Sequence, residues 1–217
     1  MPLTSIERLL QQAQTDWPEG LAVATADPRS ADHPLYPVEE AAVARAVVTR
    51  RAEFAAGRAA ARAALSQLGL PEGPVPMAED RSPVWPASVT GSLSHTTEAC
   101  IAVAARRNEI RAVGVDIETD APLAPDLASE IAQAEEIRRF GGSPGLAARR
   151  IFSLKEAAYK AQYALSRTLL GFDALILVDE RGTLAFRDAV PPFAAGDRLS
   201  VRQWIADEMI LSLCVLR

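Results

Sequence analysis

The feature that most narrows the folds open to this chain is a repeated order: each half runs from helix-patterned to strand-patterned sequence. In the first half, residues 5–14 carry the spacing of a short amphipathic helix, 38–47 a second, and 50–68 a third that Gly69 and Pro71 close. A Pro- and Gly-rich loop is expected over 71–91, followed by apolar runs at 100–105 and 111–117. Those two runs, joined through Arg107-Asn108, are expected to be adjacent strands. In the second half an acidic helix is expected over 126–140. Gly141-Gly142-Ser143-Pro144 then supplies a break, a cap and a first-turn proline, launching a helix to about Leu165. Strands are expected at 175–178, 184–186, 199–204 and 209–216. No repeat is visible residue by residue. The shared order still implies an α+β fold of two pseudo-symmetric lobes, 1–108 and 109–217, each a small, mainly antiparallel sheet packed with helices. A cleft between such lobes is the expected ligand site.

Composition limits the function classes. With 49% hydrophobic and 24% charged residues the chain is not disordered. The longest nearly apolar stretch, Met209 to Leu216, is too short to cross a bilayer. The first residues lack the basic-then-apolar order of a secretory signal. Cys100 and Cys214 sit in apolar runs and are expected to be buried thiols, so the protein is expected in the cytoplasm, without a membrane partner. A net charge of −5 argues against general nucleic-acid binding. That net value hides a local asymmetry. From Arg45 to Arg62 there are five arginines and one acid, whereas Asp116 to Glu136 holds seven acids and no base. A confined basic face suits one small polyanion, such as a phosphorylated cofactor.

Several segments carry candidate chemistry. In Gly114-Val-Asp-Ile-Glu118 a strand projects Asp116 and Glu118 to the same side. Two such acids repel unless a cation or proton intervenes, and oxygen ligands without His or Cys select Mg²⁺ or Mn²⁺. In Phe152-Ser-Leu-Lys-Glu-Ala-Ala-Tyr-Lys160-Ala, Glu156 and Lys160 share a helix face and Lys155 and Tyr159 the adjacent one. An ordinary Glu-to-Lys helix pair, worth about 0.3–0.5 kcal/mol, explains one of these contacts and not the second lysine. Glu156 is therefore a candidate third metal oxygen, with both lysines facing phosphate. Gly91-Ser-Leu-Ser94-His95-Thr is expected to be a turn whose histidine and hydroxyls donate to a phosphate. It is not the G-x-S-x-G of a serine hydrolase. On an ideal wheel Arg51, Arg58 and Arg62 fall within about 40°, with Arg50 about 80° from Arg58. Gly57 costs about 1 kcal/mol in a helix, which suggests a close approach to the backbone beside Arg58.

Taken in order, these segments resemble the Sfp-type 4'-phosphopantetheinyl transferases, in particular the branch of enterobactin synthetase component D. The resemblance runs from about Val48 to Phe172. It rests on Arg50-Arg51-Ala-Glu53-Phe54 with Gly57-Arg58, on Trp85-Pro86, on Gly91-Ser-Leu-Ser-His95, on Gly114-Val-Asp-Ile-Glu118 and on the Phe152–Ala161 run. It implies a two-lobed fold with coenzyme A in the groove. Mg²⁺-dependent transfer of the phosphopantetheine arm to a serine of an apo acyl or peptidyl carrier protein would release 3',5'-ADP. By the same resemblance Asp116, Glu118 and Glu156 match the metal ligands, and Arg50, Arg58, Ser94 and His95 lie in the segments that hold the nucleotide and its 3'-phosphate. Lys155 and Lys160 match lysines near the pyrophosphate. Some relatives carry a lysine about where Met77 stands, so that contact is missing or made by Arg81. The wheel favours Arg51 as the partner of Arg58, whereas the motif favours Arg50, which is followed here.

The base would be Glu156 or a water on the metal held by Glu118, and both remain open at this level. The expectation underlying this mechanism is that the three carboxylates converge. Arg149 and Arg150 are expected to steer an acidic carrier, and the protein is expected to act as a monomer. Siderophore synthesis is one pathway among several the resemblance allows. Two rivals use the same residues: a Mg²⁺-dependent phosphoester hydrolase, and a coenzyme A-binding module without turnover.

Overall fold

The computed structural model describes residues 4–217. In chain order its elements are α1 (Ser5–Ala13), β1 (Leu21–Ala26), α2 (Pro37–Ala42), α3 (Val48–Gln67), β2 (Val89–His95), β3 (Cys100–Arg106), β4 (Ala112–Thr119), α4 (Pro125–Ile131), α5 (Ala134–Phe140), α6 (Pro144–Ser166), β5 (Leu175–Leu177), β6 (Thr183–Phe186), β7 (Arg198–Ala206) and β8 (Met209–Leu216). The architecture is α+β with two antiparallel sheets packed with helices. The chain divides into two compact units, one of Trp17–Arg111 with Arg217 and one of the segment ending at Asp16 with Ala112–Leu216.

In the unit of Trp17–Arg111, the sheet has the order β1-β3-β2 and α3 packs on β1 and β3. Its core is built from small residues: Ala60, Ala61 and Ala64 of α3 meet Ala22, Ala102 and Ala104 of the strands. Leu65, Val75 and Val89 complete this core, with Leu68, Leu70, Trp85 and Leu93 packed against it. The segment expected as a turn at 91–96 is strand β2 through His95. Gly91 serves packing here. A Cβ there would stand 2.6 Å from the Trp85 ring, so the missing side chain makes room for the indole on the strand.

In the other unit, the order is β4-β8-β7-β6-β5. α1 packs against β7 and β8, with Arg8 paired to Asp207 in the β7–β8 turn. The runs at 100–105 and 111–117 were expected to pair, but they lie in different sheets. β3 is central in one, flanked by β1 and β2, and among the described residues β4 is an edge strand paired with β8. The alanine-rich β1, Leu21-Ala-Val-Ala-Thr-Ala26, is the missing partner. Alanine's weak strand preference hides it in the sequence. The single acidic helix expected over 126–140 is two, α4 and α5. Ala132 turns extended, and a capping box of Gln133 and Glu136 starts the second helix.

α6 is laid on β4 at Gly114. A Cβ at Gly114 would stand 1.9 Å from the Ala157 carbonyl oxygen and 2.6 Å from the Ala161 nitrogen, both backbone atoms of α6. No rotamer change relieves that clash. Gly57 in α3 is the opposite case, with nothing within 4 Å of a Cβ. Gly114→Ala should therefore lower the unfolding free energy by about 3 kcal/mol or more. Gly57→Ala should leave it unchanged or raise it by up to about 1 kcal/mol. Urea unfolding of the two variants beside the parent checks both, and equal midpoints would contradict the packing account.

Candidate active site

Because α6 sits on β4 at Gly114, the residues two and four further along the strand meet the same helix. Asp116 is buried, and its Oδ1 accepts a 2.7 Å hydrogen bond from the Lys160 ammonium, which also donates to the Val115 carbonyl at 3.1 Å. Glu118 Oε2 accepts from Arg149 Nη1 at 2.8 Å. Glu156, four residues before Lys160, makes no side-chain hydrogen bond among the described residues and borders a pocket of about 120 Å³ with Lys155, Tyr159, Leu170, Gly171, Phe172 and Leu175.

The acids influence one another. Burial, reinforced by the Asp116 charge, pushes the Glu118 carboxyl up to about 7 against the pull of Arg149 and Lys160. Burial also raises Glu156, with Lys160 opposing and Asp116 adding to the rise. Asp116 is thus the shared electrostatic neighbour of both glutamates. Among the described residues, however, no three His, Cys, Asp or Glu side chains are gathered closely enough to hold a metal on their own. Lys160 and Arg149 occupy the positions of counter-ions instead. The donor set still fits a hard cation, since every candidate ligand is a carboxylate oxygen and Mg²⁺ commonly takes one or two carboxylates, with water and substrate phosphate completing its shell.

Three expectations for this unit differ from what the structure places. Lys155, expected near phosphate, is only 2% exposed, and its ammonium contacts Glu136 (2.8 Å), the Ile131 carbonyl (2.9 Å) and the Phe172 carbonyl (2.9 Å). Desolvation lowers its proton affinity and Glu136 opposes that. Arg149 and Arg150, expected to steer a partner, are each already paired, Arg149 with Glu118 and Arg150 through two hydrogen bonds of 2.9 and 2.7 Å with Asp120. Paired charges project little field.

In the unit of Trp17–Arg111, the arginine helix α3 meets the end of β2. Arg50 Nη1 lies 2.7 Å from His95 Nε2, and both reach Glu53, at 3.4 Å from Arg50 and 3.5 Å from His95 Nδ1. An arginine can only donate, so Nε2 accepts and the proton sits on Nδ1, toward Glu53. Arg58 is 5% exposed and stacks over the Phe54 ring at 4.1 Å. Its Nε has no hydrogen-bond partner among the described residues. Burial lowers its pKa to about 10; Glu39 pulls it up and Arg50 and Arg62 push it down. Such a cation suits an anion that enters from outside. Arg51, favoured by the wheel, is tied to Glu40 of α2. Ser94 is buried on β2, and Arg81 lies exposed at the tip of a turn bridged by Met77 and Pro83.

A family model described as 4'-phosphopantetheinyl transferase N-terminal domain matches residues 38–105, and one described as 4'-phosphopantetheinyl transferase superfamily matches 112–207. 4'-Phosphopantetheinyl transferase Svp of Streptomyces mobaraensis is 39% identical over 187 residues, which cover 80% of this chain and 75% of that protein. The chain belongs to the 4'-phosphopantetheinyl transferases. Npt of Nocardia iowensis, carrying the same description, is 32% identical over 163 residues, 74% of this chain and 73% of the relative. Enterobactin synthase component D of Salmonella typhimurium is 33% identical over 172 residues, 76% of this chain and 71% of the relative.

Two buried acids in this transferase escaped the sequence reading. Glu39 is wholly buried, accepting from the Tyr36 and Val75 amides (3.0 and 2.8 Å) and from Arg62 (3.0 Å). Glu136, 1% exposed, accepts from the Gln133 and Leu177 amides, each at 2.8 Å, and from Lys155. Both stand at the third position of a short helix, a capping-box spacing that marks them in the sequence. The raised Glu118 carboxyl gives a testable pH dependence. Its folded pKa lies above its unfolded one, so its protonated form favours the fold. That contribution is complete below about pH 4.5 and is lost as pH rises toward 7 and beyond. Glu118→Gln should flatten the fall in stability between pH 5 and 8, an effect of about 2–3 kcal/mol in metal-free buffer. Urea midpoints at the two pH values measure it, and parallel slopes for variant and parent would refute it.

Proposed function

We propose that this transferase moves the phosphopantetheine arm of coenzyme A to a serine of an apo acyl or peptidyl carrier protein in a Mg²⁺-dependent reaction that releases 3',5'-ADP. The supporting observation is the group formed where α6 crosses β4: Asp116 hydrogen-bonded to Lys160, with Glu118 and Glu156 in its electrostatic reach. The carrier serine oxygen attacks the β-phosphorus of coenzyme A. The bond from that phosphorus to the bridging oxygen breaks, and 3',5'-ADP departs as an anion. The hydroxyl proton is assigned to Glu156, which borders the pocket. Lys160 places a positive charge beside the developing phosphate charge. Asp116, Glu118 and Glu156 are the candidate Mg²⁺ ligands; one or two of them, with water and substrate phosphate completing the shell, would hold the ion, which would supply charge neutralisation at the pyrophosphate. Arg58, Arg50 and His95 are assigned to the nucleotide phosphates, because a buried guanidinium with an unmet donor favours a strong acceptor.

Relatives named for enterobactin synthase make a siderophore carrier one substrate to test beside fatty-acid and polyketide carriers. Both cysteines are buried free thiols, in keeping with a reducing cytoplasm. No helix among the described residues is long and apolar enough to cross a membrane. We read the working form as a monomer.

Incubation with coenzyme A, Mg²⁺ and purified apo carriers, followed by mass spectrometry, should show a carrier gaining the arm, with the signal abolished by EDTA. Coenzyme A consumed without a carrier would instead identify a hydrolase, and binding without any transfer would identify a module lacking turnover. Asp116→Ala should reduce the transfer rate by about 10²–10³ or more. Arg58→Ala should act chiefly through coenzyme A affinity, weakening it by about 10- to 100-fold, and an unchanged dissociation constant would remove Arg58 from the site.

A further inference from the structure

We propose that Lys155 is a positioning residue and not a phosphate ligand: with Glu136 it forms a buried lock that sets the pocket wall facing Glu156. This rests on the functional reading above only for what the pocket holds. The lock itself is visible in the contacts. Lys155 Nζ satisfies both Glu136 oxygens, at 2.8 and 3.1 Å, and the carbonyls of Ile131 and Phe172, each at 2.9 Å. An ammonium has three donors, and these acceptors engage them all. To reach a phosphate, Lys155 would have to abandon a carboxylate buried as deeply as itself. Glu136 is equally committed, since it also accepts from the Gln133 and Leu177 amides. One ion pair thus joins the end of α4, the start of α5, strand β5, the 170–172 loop and α6.

The position of the lock is what gives it a role in the reaction. Phe172, whose carbonyl Lys155 holds, lines the pocket together with Lys155 itself, Leu170, Gly171, Tyr159 and Glu156, and its ring packs against Phe152 at 5.6 Å. Glu156 is the next residue along α6. Holding Phe172 from the middle of that helix therefore fixes one wall of the pocket that Glu156 borders.

The other unit supports the assignment independently. There Glu39, again third in a short helix, accepts from a preceding amide and from the amide of Val75, and is paired with Arg62 of α3, which also donates to the Pro34 carbonyl at 2.7 Å. Glu39 and Glu136 are thus the same device: a capping glutamate, a distant amide, and a cation from the following long helix that also ties down a loop carbonyl. A device used twice, once with arginine and once with lysine, belongs to the architecture of the fold.

Four proteins test this: the parent, Lys155→Met, Glu136→Gln and the double variant. Either single change leaves a buried charge or its partners unmatched, and should lower the melting temperature by about 10 °C. The double variant removes both charges and should recover at least half of that loss. Coenzyme A binding, measured by calorimetry with Mg²⁺ and no carrier, should weaken by a similar factor, about tenfold, in both single variants, and the double should return toward the parent. Amide hydrogen exchange at Leu177 should accelerate in both single variants whether or not coenzyme A is bound. A phosphate ligand predicts another pattern: Lys155→Met alone loses affinity, Glu136→Gln keeps it, and the double variant is as weak as Lys155→Met. That pattern would overturn the proposal. If a single variant fails to fold, the double variant decides: affinity near that of the parent supports the lock, and affinity tenfold weaker or worse refutes it. Should the parent itself not bind coenzyme A, the functional reading fails, while the melting and exchange cycle still decides whether the lock exists.

Discussion

The contact on which the rest of this molecule's chemistry depends is backbone against backbone. α6 approaches β4 until the Ala157 carbonyl lies where a Cβ of residue 114 would be, and only glycine permits it. From that distance a lysine of α6 reaches both a strand carbonyl and the Asp116 carboxylate, and Glu156 comes under the influence of the same acid. The small residues Ala157, Ala158 and Ala161 keep the rest of the interface equally thin. Close packing here is a means of bringing charges together, since electrostatic interaction in a poorly solvated interior grows steeply as separation falls.

The charges so gathered are mutually neutralising in part. Lys160 answers Asp116, Arg149 answers Glu118 and Arg150 answers Asp120. Two glutamates nonetheless bind protons more tightly than they do in water, chiefly because burial disfavours their charged forms, with the Asp116 charge adding to the rise. In the unit of Trp17–Arg111 the shift has the other sign: Arg58 is desolvated, and neighbouring arginines add to its discomfort.

Much of this was legible in the chain, and the misreadings have physical causes. The long helix of the second half announces itself through Gly141-Gly142-Ser143-Pro144, because stop, cap and first-turn signals act locally. The carboxylate strand is readable from its two-residue period. β1 is not, because alanine carries little strand preference and its strand character comes from pairing with β3. The Gly91 segment looked like a turn because glycine and serine favour turns, whereas the glycine there accommodates an indole ring from Trp85. Lys155 illustrates the hardest case. Its position in a motif and its place on the wheel both point toward phosphate, and only the distant Glu136, which the chain brings under it through the break between α4 and α5, turns it inward. Pattern reports which face a residue occupies, and partners from elsewhere in the chain decide what it does there.

The buried Arg58 carries a thermodynamic consequence. A dehydrated guanidinium with an unmet donor raises the free energy of the folded unit. An anion that enters and satisfies it gives that energy back, so binding and folding are linked, and occupancy stabilises the native state in proportion to the logarithm of ligand concentration. An anion that reached Arg58 would therefore raise the protein's resistance to heat and proteolysis.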